Sequence, residues 1–449
     1  MAQFNLSDTV DSSKVFLVKR SEIEDRLEPK FYTIKYFNNE KKIRSSKYPI
    51  SYLFDVTSKI SDGTHFTPNY IDEGVKFISV KDVRKSAITL TNTKFISDEE
   101  ANKLDKRCKP TSGDILLTKI GATYGFAAMI ETKERFQIFV SLALLRPNDK
   151  LIPKFLEIYL NTDLAYIQYE RVIKGAGVPD LHLEDIRKIK IPLPPKEVQK
   201  QVIDLYQTAY TQKQQKEAEA AALLASIDTY LLDELGITLP EKDTSLQSRI
   251  FTAMFSEVSG GRFDVFAIIN KDFKIDGGKY TNKRLKQIAS LVKGQSITSD
   301  KIIEGEFPVI AGGQSSPYNH NVFNCEGNII TVSASGAYSG YVWYHTSPIF
   351  ASDCTVIKSK NENEVSTLYL SEILKTKQQE IYHLQQGAGQ PHVYAKDLEK
   401  LNIPLPPLAK QTEIANHIQA IRAQAKQLQE EAKAVLEEAK IGVEKMILG

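Results

Sequence analysis

Residues 175–195 read Gly-Ala-Gly-Val-Pro-Asp-Leu-His-Leu-Glu-Asp-Ile-Arg-Lys-Ile-Lys-Ile-Pro-Leu-Pro-Pro. Residues 387–407 read Gly-Ala-Gly-Gln-Pro-His-Val-Tyr-Ala-Lys-Asp-Leu-Glu-Lys-Leu-Asn-Ile-Pro-Leu-Pro-Pro. The two stretches are 212 positions apart throughout (175 to 387 and 191 to 403), and just beyond them Gln199 matches Gln411. A repeat of this length predicts two similar modules produced by internal duplication, not a short-repeat solenoid.

The bulk composition is that of a folded globular protein. With 449 residues the chain is long enough for two or three domains. Its 42% hydrophobic and 25% charged residues do not suggest disorder. The formal net charge of +2 is too small to indicate nucleic-acid binding by itself. It does not exclude such binding, because a basic patch on one face is compatible with it.

Cysteine usage and the N-terminus indicate the compartment. The three cysteines, Cys108, Cys325 and Cys354, have no Cys-x-x-Cys spacing, so neither a disulfide framework nor structural zinc is expected. The first residues lack a basic segment followed by an apolar core, and no apolar run approaches the length of a membrane span. We therefore expect no signal peptide, no membrane segment and a cytoplasmic location.

Each module is predicted to be a mixed, largely antiparallel β domain with one helix. Short apolar runs between turn residues, such as Leu53-Phe54-Asp55-Val56 and Asp114-Ile115-Leu116-Leu117-Thr118, predict strands. A helix is predicted from Pro153 to about Gln168, and its counterpart near Val365 to Tyr382. A weaker match between Asp25-Arg26-Leu27-Glu28 and Gly261-Arg262-Phe263-Asp264 extends the duplication upstream.

A long helix is predicted after each Pro-Leu-Pro-Pro, because proline suits the first helical turn and opposes helix before it. The helix from Leu408 to about Met446 has apolar residues at alternating steps of four and three, the period of a coiled coil. The helix from Lys196 to about Leu235 has a similar seam, but Lys213 and Lys216 fall on it and leave the register there open. The predicted seam residues are Val202, Ala209, Leu223 and Ile227 in the first helix and Ile414, Ile418, Ile421, Leu428 and Val435 in the second.

Helix length predicts how these elements assemble. About 40 helical residues extend about 60 Å, too far for either helix to bury its seam on its own small module. We therefore expect an α+β protein in which the two helices form an antiparallel coiled coil, with one module at each end and approximate twofold symmetry. The predicted boundaries are an N-terminal segment 1–46, modules 47–193 and 281–405, helices 194–236 and 406–449, and a linker 237–280.

No catalytic constellation is recognisable. The sequence has no Gly-x4-Gly-Lys-Ser/Thr loop, no Gly-x-Gly-x-x-Gly opening a βαβ unit and no paired histidine spacing. Asp180 with Glu184 resembles part of a metal-dependent nuclease site, but His392 and Lys396 replace them in the second copy. An exposed, helix-capping acidic cluster is the better interpretation.

Two interpretations of Gly-Ala-Gly-x-Pro are compatible with each other. Its glycines can supply a backbone turn that other residues adopt poorly. The same loop, with Lys174 upstream, can approach a phosphate backbone closely.

The loops that differ between the modules are rich in residues that read base edges or bind phosphates. A shared scaffold with divergent polar loops predicts a protein that recognises two different short DNA sequences. The candidate DNA-binding residues are Thr64, His65, Lys81, Arg84, Lys119, Thr123, Tyr124, Lys174, Gly175 and Gly177 in the first module, and Lys293, Gln295, Ser296, Gln314, Ser335, Tyr338, Gln386, Gly387 and Gly389 in the second.

The doubled Gly-Ala-Gly-x-Pro … Ile-Pro-Leu-Pro-Pro … Gln element, each copy leading into a long helix, resembles the specificity subunit of type I restriction–modification systems, from about Arg20 onward. The resemblance implies two target-recognition domains, recognition of a split sequence in double-stranded DNA, and no catalytic residues. It also implies two modification (methyltransferase) subunits docked on the helices, and restriction (translocase–nuclease) subunits. S-adenosylmethionine, ATP and Mg²⁺ would belong to those partners, with no cofactor or metal on this chain. The polar middle of the first helix departs from the pattern.

Two alternatives stay open at the level of sequence. One is a stand-alone DNA methyltransferase or nuclease. The other is a coiled-coil scaffold whose end modules bind protein or carbohydrate.

Overall fold

The computed structural model describes residues 10–11, 15, 17–20, 23, 27–175, 177–239, 252, 275–387 and 389–449. The chain divides into two compact units: the first comprises Met1–Lys216 and Glu430–Gly449, the second Glu217–Gln429. Each long helix therefore contributes one part to each unit. The predicted upstream match rests on Asp25, Arg26 and residues 261–264, which lie outside the described residues.

The first unit alternates short strands and helices. Its helices are α1 (Ile34–Arg44), α2 (Leu53–Val56), α3 (Asp98–Asp105), α4 (Pro153–Leu160), α5 (Asp163–Val172), α6 (Leu183–Arg187) and the first part of α7 (Lys196–Leu235). Its strands are β1 (Ile50–Tyr52), β2 (Thr57–Asp62), β3 (Val75–Ile78), β4 (Val83–Arg84), β5 (Ala87–Ile88), β6 (Lys94–Ile96), β7 (Ile115–Thr118), β8 (Ala127–Met129), β9 (Phe136–Ile138), β10 (Leu142–Pro147) and β11 (Lys190–Pro192).

The second unit has the same kinds of element in a shorter list. Its strands are β12 (Asn282–Arg284), β13 (Ala289–Lys293), β14 (Phe307–Ile310), β15 (Asn319–His320), β16 (Ile329–Ser333), β17 (Val342–His345), β18 (Phe350–Ala351), β19 (Cys354–Ser359) and β20 (Asn402–Pro404). Its helices are α8 (Leu285–Ile288), α9 (Thr367–Thr376), α10 (Gln378–Tyr382), α11 (Ala395–Leu398) and the first part of α12 (Leu408–Leu448).

Three sheets recur with the same strand order in the two units, and the first unit has an additional ribbon, β4-β5. The antiparallel four-stranded sheet has the order β2-β10-β7-β8 in the first unit and β13-β19-β16-β17 in the second. A three-stranded sheet with one parallel pair follows, β6-β3-β9 or β15-β14-β18, and a small ribbon, β1-β11 or β12-β20, lies next to the long helix. The predicted α+β class and the layout of two similar domains are confirmed.

Three local predictions were wrong. The helix predicted near Val365 to Tyr382 is broken at Lys377 into α9 and α10. Leu53–Val56 is a helical turn, because Leu53 and Val56 are buried three positions apart while Phe54 is exposed, and the Asp55 carboxylate accepts the Tyr52 N–H at 3.2 Å. The helix predicted from Pro153 to Gln168 is broken into α4 and α5. At the break, the Asn161 amide bonds both backbone groups of Ala127 in β8, at 3.1 and 2.8 Å.

The two long helices run antiparallel within each unit. In the first unit the Lys216 ammonium lies 2.6 Å from the Glu431 carboxylate, and eleven residues earlier on α7 Leu205 faces Gly442, eleven residues later on α12. In the second unit Lys410 pairs with Glu234 at 2.6 Å, and the ring of His417 lies 4.2 Å from that of Tyr230. Because residue numbers rise along α12 as they fall along α7, the two helices are antiparallel in both places.

The seam continues through the polar middle of α7. Ala209 and Ala220 are buried, and Lys213 and Lys216 between them are half-buried. Lys216 is neutralised by Glu431, which explains how lysine occupies a seam position. Near the end of α12 the buried residues are Val443 and Ile447.

A buried glutamine joins each long helix to its domain. The Gln199 amide donates to the carbonyls of Pro194 (2.9 Å) and Lys150 (3.1 Å) and accepts the Ile152 N–H at 2.9 Å. Gln411 makes the same three bonds, to Pro406, Glu364 and Ser366, each at 2.9 Å. Both side chains are 1% exposed, so these bonds form out of contact with water.

Apolar cores complete these junctions. In the first unit Phe155 and Tyr159 of α4 pack in one core with Val202 of α7 and Val443 of α12.

Across the described ranges, none of the helices combines the length and apolar character that crossing a lipid bilayer requires.

Replacing Gln199 with alanine should destabilise the first unit by about 1–3 kcal/mol, because buried backbone groups lose their partners. The Gln201→Ala variant is a matched control on the same helix, where the side chain is exposed. Urea unfolding followed by circular dichroism measures both. Equal midpoints for the two variants would contradict a joining role for Gln199.

Candidate nucleic-acid interface

Gly-Ala-Gly-x-Pro forms a tight hairpin loop in both units. Lys174 and Asp180 exchange backbone hydrogen bonds of 3.0 and 2.9 Å, and Gln386 and His392 exchange two of 2.8 Å. Gly175 has φ +95° and Gly387 φ +101°, conformations that favour glycine. The glycine-requiring turn predicted from the sequence is therefore present; Ala176 and Ala388 lie outside the described residues.

The hairpin contacts the loop that follows β7 in the first unit and β16 in the second. The Gly121 N–H donates to the Pro179 carbonyl at 2.9 Å, and Gly336 donates to Pro391 at 3.0 Å. These bonds bring together two predicted groups of DNA-binding residues in each unit. They also align Gly121 with Gly336, so that Tyr338 occupies the position of Thr123.

The residue before each hairpin glycine is held by the aspartate of the repeated motif. The Lys174 ammonium lies 3.2 Å from the Asp185 carboxylate, and the Gln386 amide donates to Asp397 at 2.8 Å. Both side chains are half-buried. Their first role is consequently to brace the hairpin.

Three predicted contacts point inward. Thr64 and Lys119 are 4% and 5% exposed, so neither offers a free side chain to DNA. Tyr124 stacks on Tyr166 with ring centroids 5.6 Å apart, and burial together with the Tyr166 hydroxyl raises its pKa. Sequence alone could not separate these residues from exposed loop residues, because the same polar types line both.

The remaining predicted residues lie at or near the surface. Arg84 is exposed but folds back on its own turn, donating to the carbonyls of Lys81 and Val83 at 2.9 Å. The half-buried residues are Thr123, Lys174, Ser335 and Gln386, and the exposed ones are His65, Lys81, Arg84, Gly175, Gly177, Lys293, Gln295, Ser296, Gln314, Tyr338, Gly387 and Gly389.

A charged cluster in the first unit escaped sequence analysis. The Asp62 carboxylate, 3% exposed, contacts Arg107, lies 3.2 Å from His65 Nε2 and is 4.0 Å from the Lys119 ammonium. Lys119 also lies 3.5 Å from Asp180. These residues are distant in sequence, so no spacing pattern announced Asp62 or Arg107.

The predicted acidic helix cap is not formed by Asp180. Its carboxylate lies near Lys119 and, at 3.6 Å, His182, and no side-chain hydrogen bond caps the start of α6. In the part of the chain that the structure describes, no group of three or more histidine, cysteine, aspartate or glutamate residues is arranged to hold a metal ion.

The corresponding region of the second unit is polar and less charged. The Ser335 hydroxyl donates to Asp353, and His392 stacks near Tyr394. The two units thus present different chemistry on one scaffold.

Two domains of like fold with different polar loops form an arrangement suited to recognising two different ligands. The sequence matches the type I restriction modification DNA specificity domain over residues 2–224 and 278–438. This chain therefore belongs to that family: it is a DNA sequence-recognition subunit, and its role is non-catalytic.

Individual relatives agree with this assignment. The putative type I restriction enzyme MjaX specificity subunit of Methanocaldococcus jannaschii is 24% identical over 392 residues, covering 82% of this chain and 85% of that protein. The type I restriction enzyme EcoBI specificity subunit of Escherichia coli is 28% identical over 134 residues, 30% of this chain and 28% of that one. A solved chain from work on assembly and conformational transition of the type I R-M system has the same fold, with a TM-score of 0.53 at 16% identity, covering 89% of this chain and 96% of its own.

The hairpin glycines allow a direct test of the turn. A Cβ at Gly175 would lie 2.2 Å from the Val178 carbonyl oxygen, whereas one at Gly177 meets no heavy atom within 4 Å. Gly175→Ala should lower stability by about 1–3 kcal/mol through steric and backbone strain. Gly177→Ala, two residues away, should leave the melting temperature within about one degree, since surface substitutions have small effects. Similar melting temperatures for both variants would refute the turn's requirement for glycine.

Proposed function

We propose that this chain reads a split target in double-stranded DNA, one half-site per unit, and that the paired helices set the gap between the half-sites. The observation that carries the proposal is the repeated hairpin scaffold with unlike exposed loops: His65 and Lys81 in one unit, Gln295 and Gln314 in the other. A shared scaffold gives both units the same approach to the duplex, while different side chains select different bases.

The hairpin tips are suited to the phosphate backbone. Gly177 and Gly389 are exposed, and a Cβ at either would meet nothing within 4 Å. Crowding inside the protein therefore does not demand glycine there, and a tip without a side chain permits close approach by a strand of DNA. Phosphate contacts of this kind position a protein without carrying sequence information.

The helices supply a ruler of suitable length. Helices of 40 and 41 residues extend about 60 Å, which corresponds to about 17 base pairs at about 3.4 Å each. Half-sites whose centres lie about one turn of DNA apart would be read from one face of the duplex.

Further partners complete the proposal. Two modification (methyltransferase) subunits would dock on the helices, and restriction (translocase–nuclease) subunits would join them in the cytoplasm. S-adenosylmethionine, ATP and Mg²⁺ would be bound by those subunits, and none by this chain.

The gap can be changed without touching either recognition surface. Residues 213–216 of α7 face 431–434 of α12, as the Lys216–Glu431 pair shows. Deleting both four-residue segments should shorten the spacer by about one or two base pairs, since four helical residues extend about 6 Å. Methylated-base mapping of the assembled complex should then show unchanged half-site sequences separated by a shorter spacer.

A four-residue deletion in α7 alone is the control, since it leaves the helices out of register and should impair assembly or binding. If the double deletion changed the half-site sequences and left the spacer unchanged, the proposal that the helices set the spacer length would be refuted.

Salt dependence separates a DNA reader from a protein- or carbohydrate-binding scaffold. Binding of the chain to its split duplex should weaken steeply and linearly in log affinity against log salt, because bound cations release counterions from DNA. A flat salt response would favour the scaffold. Turnover by the purified chain with S-adenosylmethionine or Mg²⁺, without partners, would instead favour an enzyme.

A further inference from the structure

Arg107 has an exposed guanidinium group whose orientation is set by the buried carboxylate of Asp62. Its side chain is 55% exposed, whereas that of Asp62, to which Nη2 donates, is 4% exposed. The Asp62 backbone carbonyl lies 3.5 Å from Nε, so the Nε–Nη2 edge faces Asp62. Nη1 has no hydrogen-bond acceptor among the described residues. In the tautomer in which His65 Nε2–H donates to Asp62, at 3.2 Å, the second Nη2 hydrogen is also free, and the Nη1–Nη2 edge then presents two parallel N–H donors to a ligand.

The backbone at Arg107 is equally constrained. The N–H groups of Arg107 and Cys108 both donate to the Leu104 carbonyl at 3.0 Å, at the end of α3. The Cys108 side chain is 2% exposed and packs in a core with Leu116 and Phe136. A guanidinium fixed by both backbone and carboxylate loses little freedom on binding, which favours a specific contact over a diffuse one.

The surroundings keep Arg107 as the outward charge of its cluster. Lys119, 7% exposed along its side chain, lies 4.0 Å from the Asp62 carboxylate and 3.5 Å from the Asp180 carboxylate, so its charge is used within the protein. His65, 60% exposed, lies beside Arg107, with its Nε2 3.0 Å from Nη2. Arg107 thus lies next to His65 of the β2–β3 loop. Lys119 connects the same cluster to Asp180 of the hairpin.

Among the residues of the second unit that the structure describes, this arrangement has no counterpart. Strand β2 ends at Asp62 and β13 at Lys293, and in both the next residue is a glycine whose Cβ would strike a backbone carbonyl oxygen, at 1.9 and 2.2 Å. The strand order therefore replaces Asp62 with Lys293, and by the same alignment Ala334 takes the place of Lys119. Arg107 itself follows α3, an element missing from residues 321–328, all of them described.

We propose that Arg107, positioned by Asp62, reads a guanine in the half-site of the first unit. Guanine presents N7 and O6 as neighbouring acceptors in the major groove, and arginine matches them with two parallel N–H donors. This inference rests on the proposed reading of a split target and adds which side chain selects one base pair of it. The second unit, lacking α3 and the Asp62–Arg107 pair, selects its half-site by other contacts.

The test uses the full chain assembled with its methyltransferase subunits. The wild type, Arg107→Ala and Arg107→Lys are compared on the mapped target and on duplexes in which each base pair is changed singly, with methylation rate and duplex affinity as readouts. Arg107→Lys retains the charge but not the planar pair of donors. Arg44→Ala is the matched control, since Arg44 is an exposed arginine paired with Glu40 on α1.

Both Arg107 variants should relax selection at one G·C pair of one half-site by about 5- to 150-fold. The other half-site, the gap and the properties of Arg44→Ala should stay as in the wild type. An unchanged preference at every position, relaxation at a pair other than G·C, or a uniform loss across both half-sites would each overturn the proposal.

The lysine variant keeps the test decisive if the alanine variant fails to assemble. A wild-type target that is not split would instead refute the proposed function, whatever Arg107 does. A split target insensitive to both variants would refute only the role of Arg107.

Discussion

The architecture depends on how rigidly each long helix is joined to its domain. Gln199 and Gln411 make three hydrogen bonds each to backbone groups, in sites closed to water. Buried amide bonds of this kind are directional, and breaking one leaves an unsatisfied group, so the angle between helix and domain has one favoured value. Apolar packing alone would tolerate small rotations. The proposed spacing of two half-sites by the paired helices requires a joint that does not rotate.

The pairing of the helices has its own constraint. A seam built only of alanine, leucine and isoleucine can slip by a heptad at low cost, whereas a polar pair is satisfied in one register. The Lys216–Glu431 pair lies in the middle of the otherwise apolar seam and is half-buried. A slipped register would leave both charges partly desolvated without a partner. The lysines that look like a defect in the helical pattern therefore help to specify the register.

Duplication explains why the two domains share some features and not others. The ribbon, the four-stranded sheet, the hairpin and the glutamine occur in both units, and the glutamine ties the long helix to the domain in each. The loops differ: one unit carries α3 and the Asp62–Arg107 pair while the other carries a polar set around Ser335 and Asp353. The differences between the units thus lie in the loops and in α3, while the recurring sheets, hairpin and glutamine keep the same arrangement.

The sequence by itself determined the duplication, the two long helices, the seam and the α+β class, because these are expressed in periodicity and in repeated glycine and proline positions. The antiparallel pairing also followed, since a helix of 40 residues has no other apolar surface of its length. Local patterns were insufficient where tertiary contacts decided the outcome: Leu53–Val56 became a helical turn, and Asn161 broke the predicted helix by binding β8.

Only the tertiary structure decided which polar residues face outward. Lys119 and Thr64 are indistinguishable from surface residues in the sequence, yet they are buried, while Arg107 reaches the surface beside a carboxylate 45 positions away. The physical reason is that a charge is placed by its partners, and those partners are brought together by strand order and not by proximity along the chain.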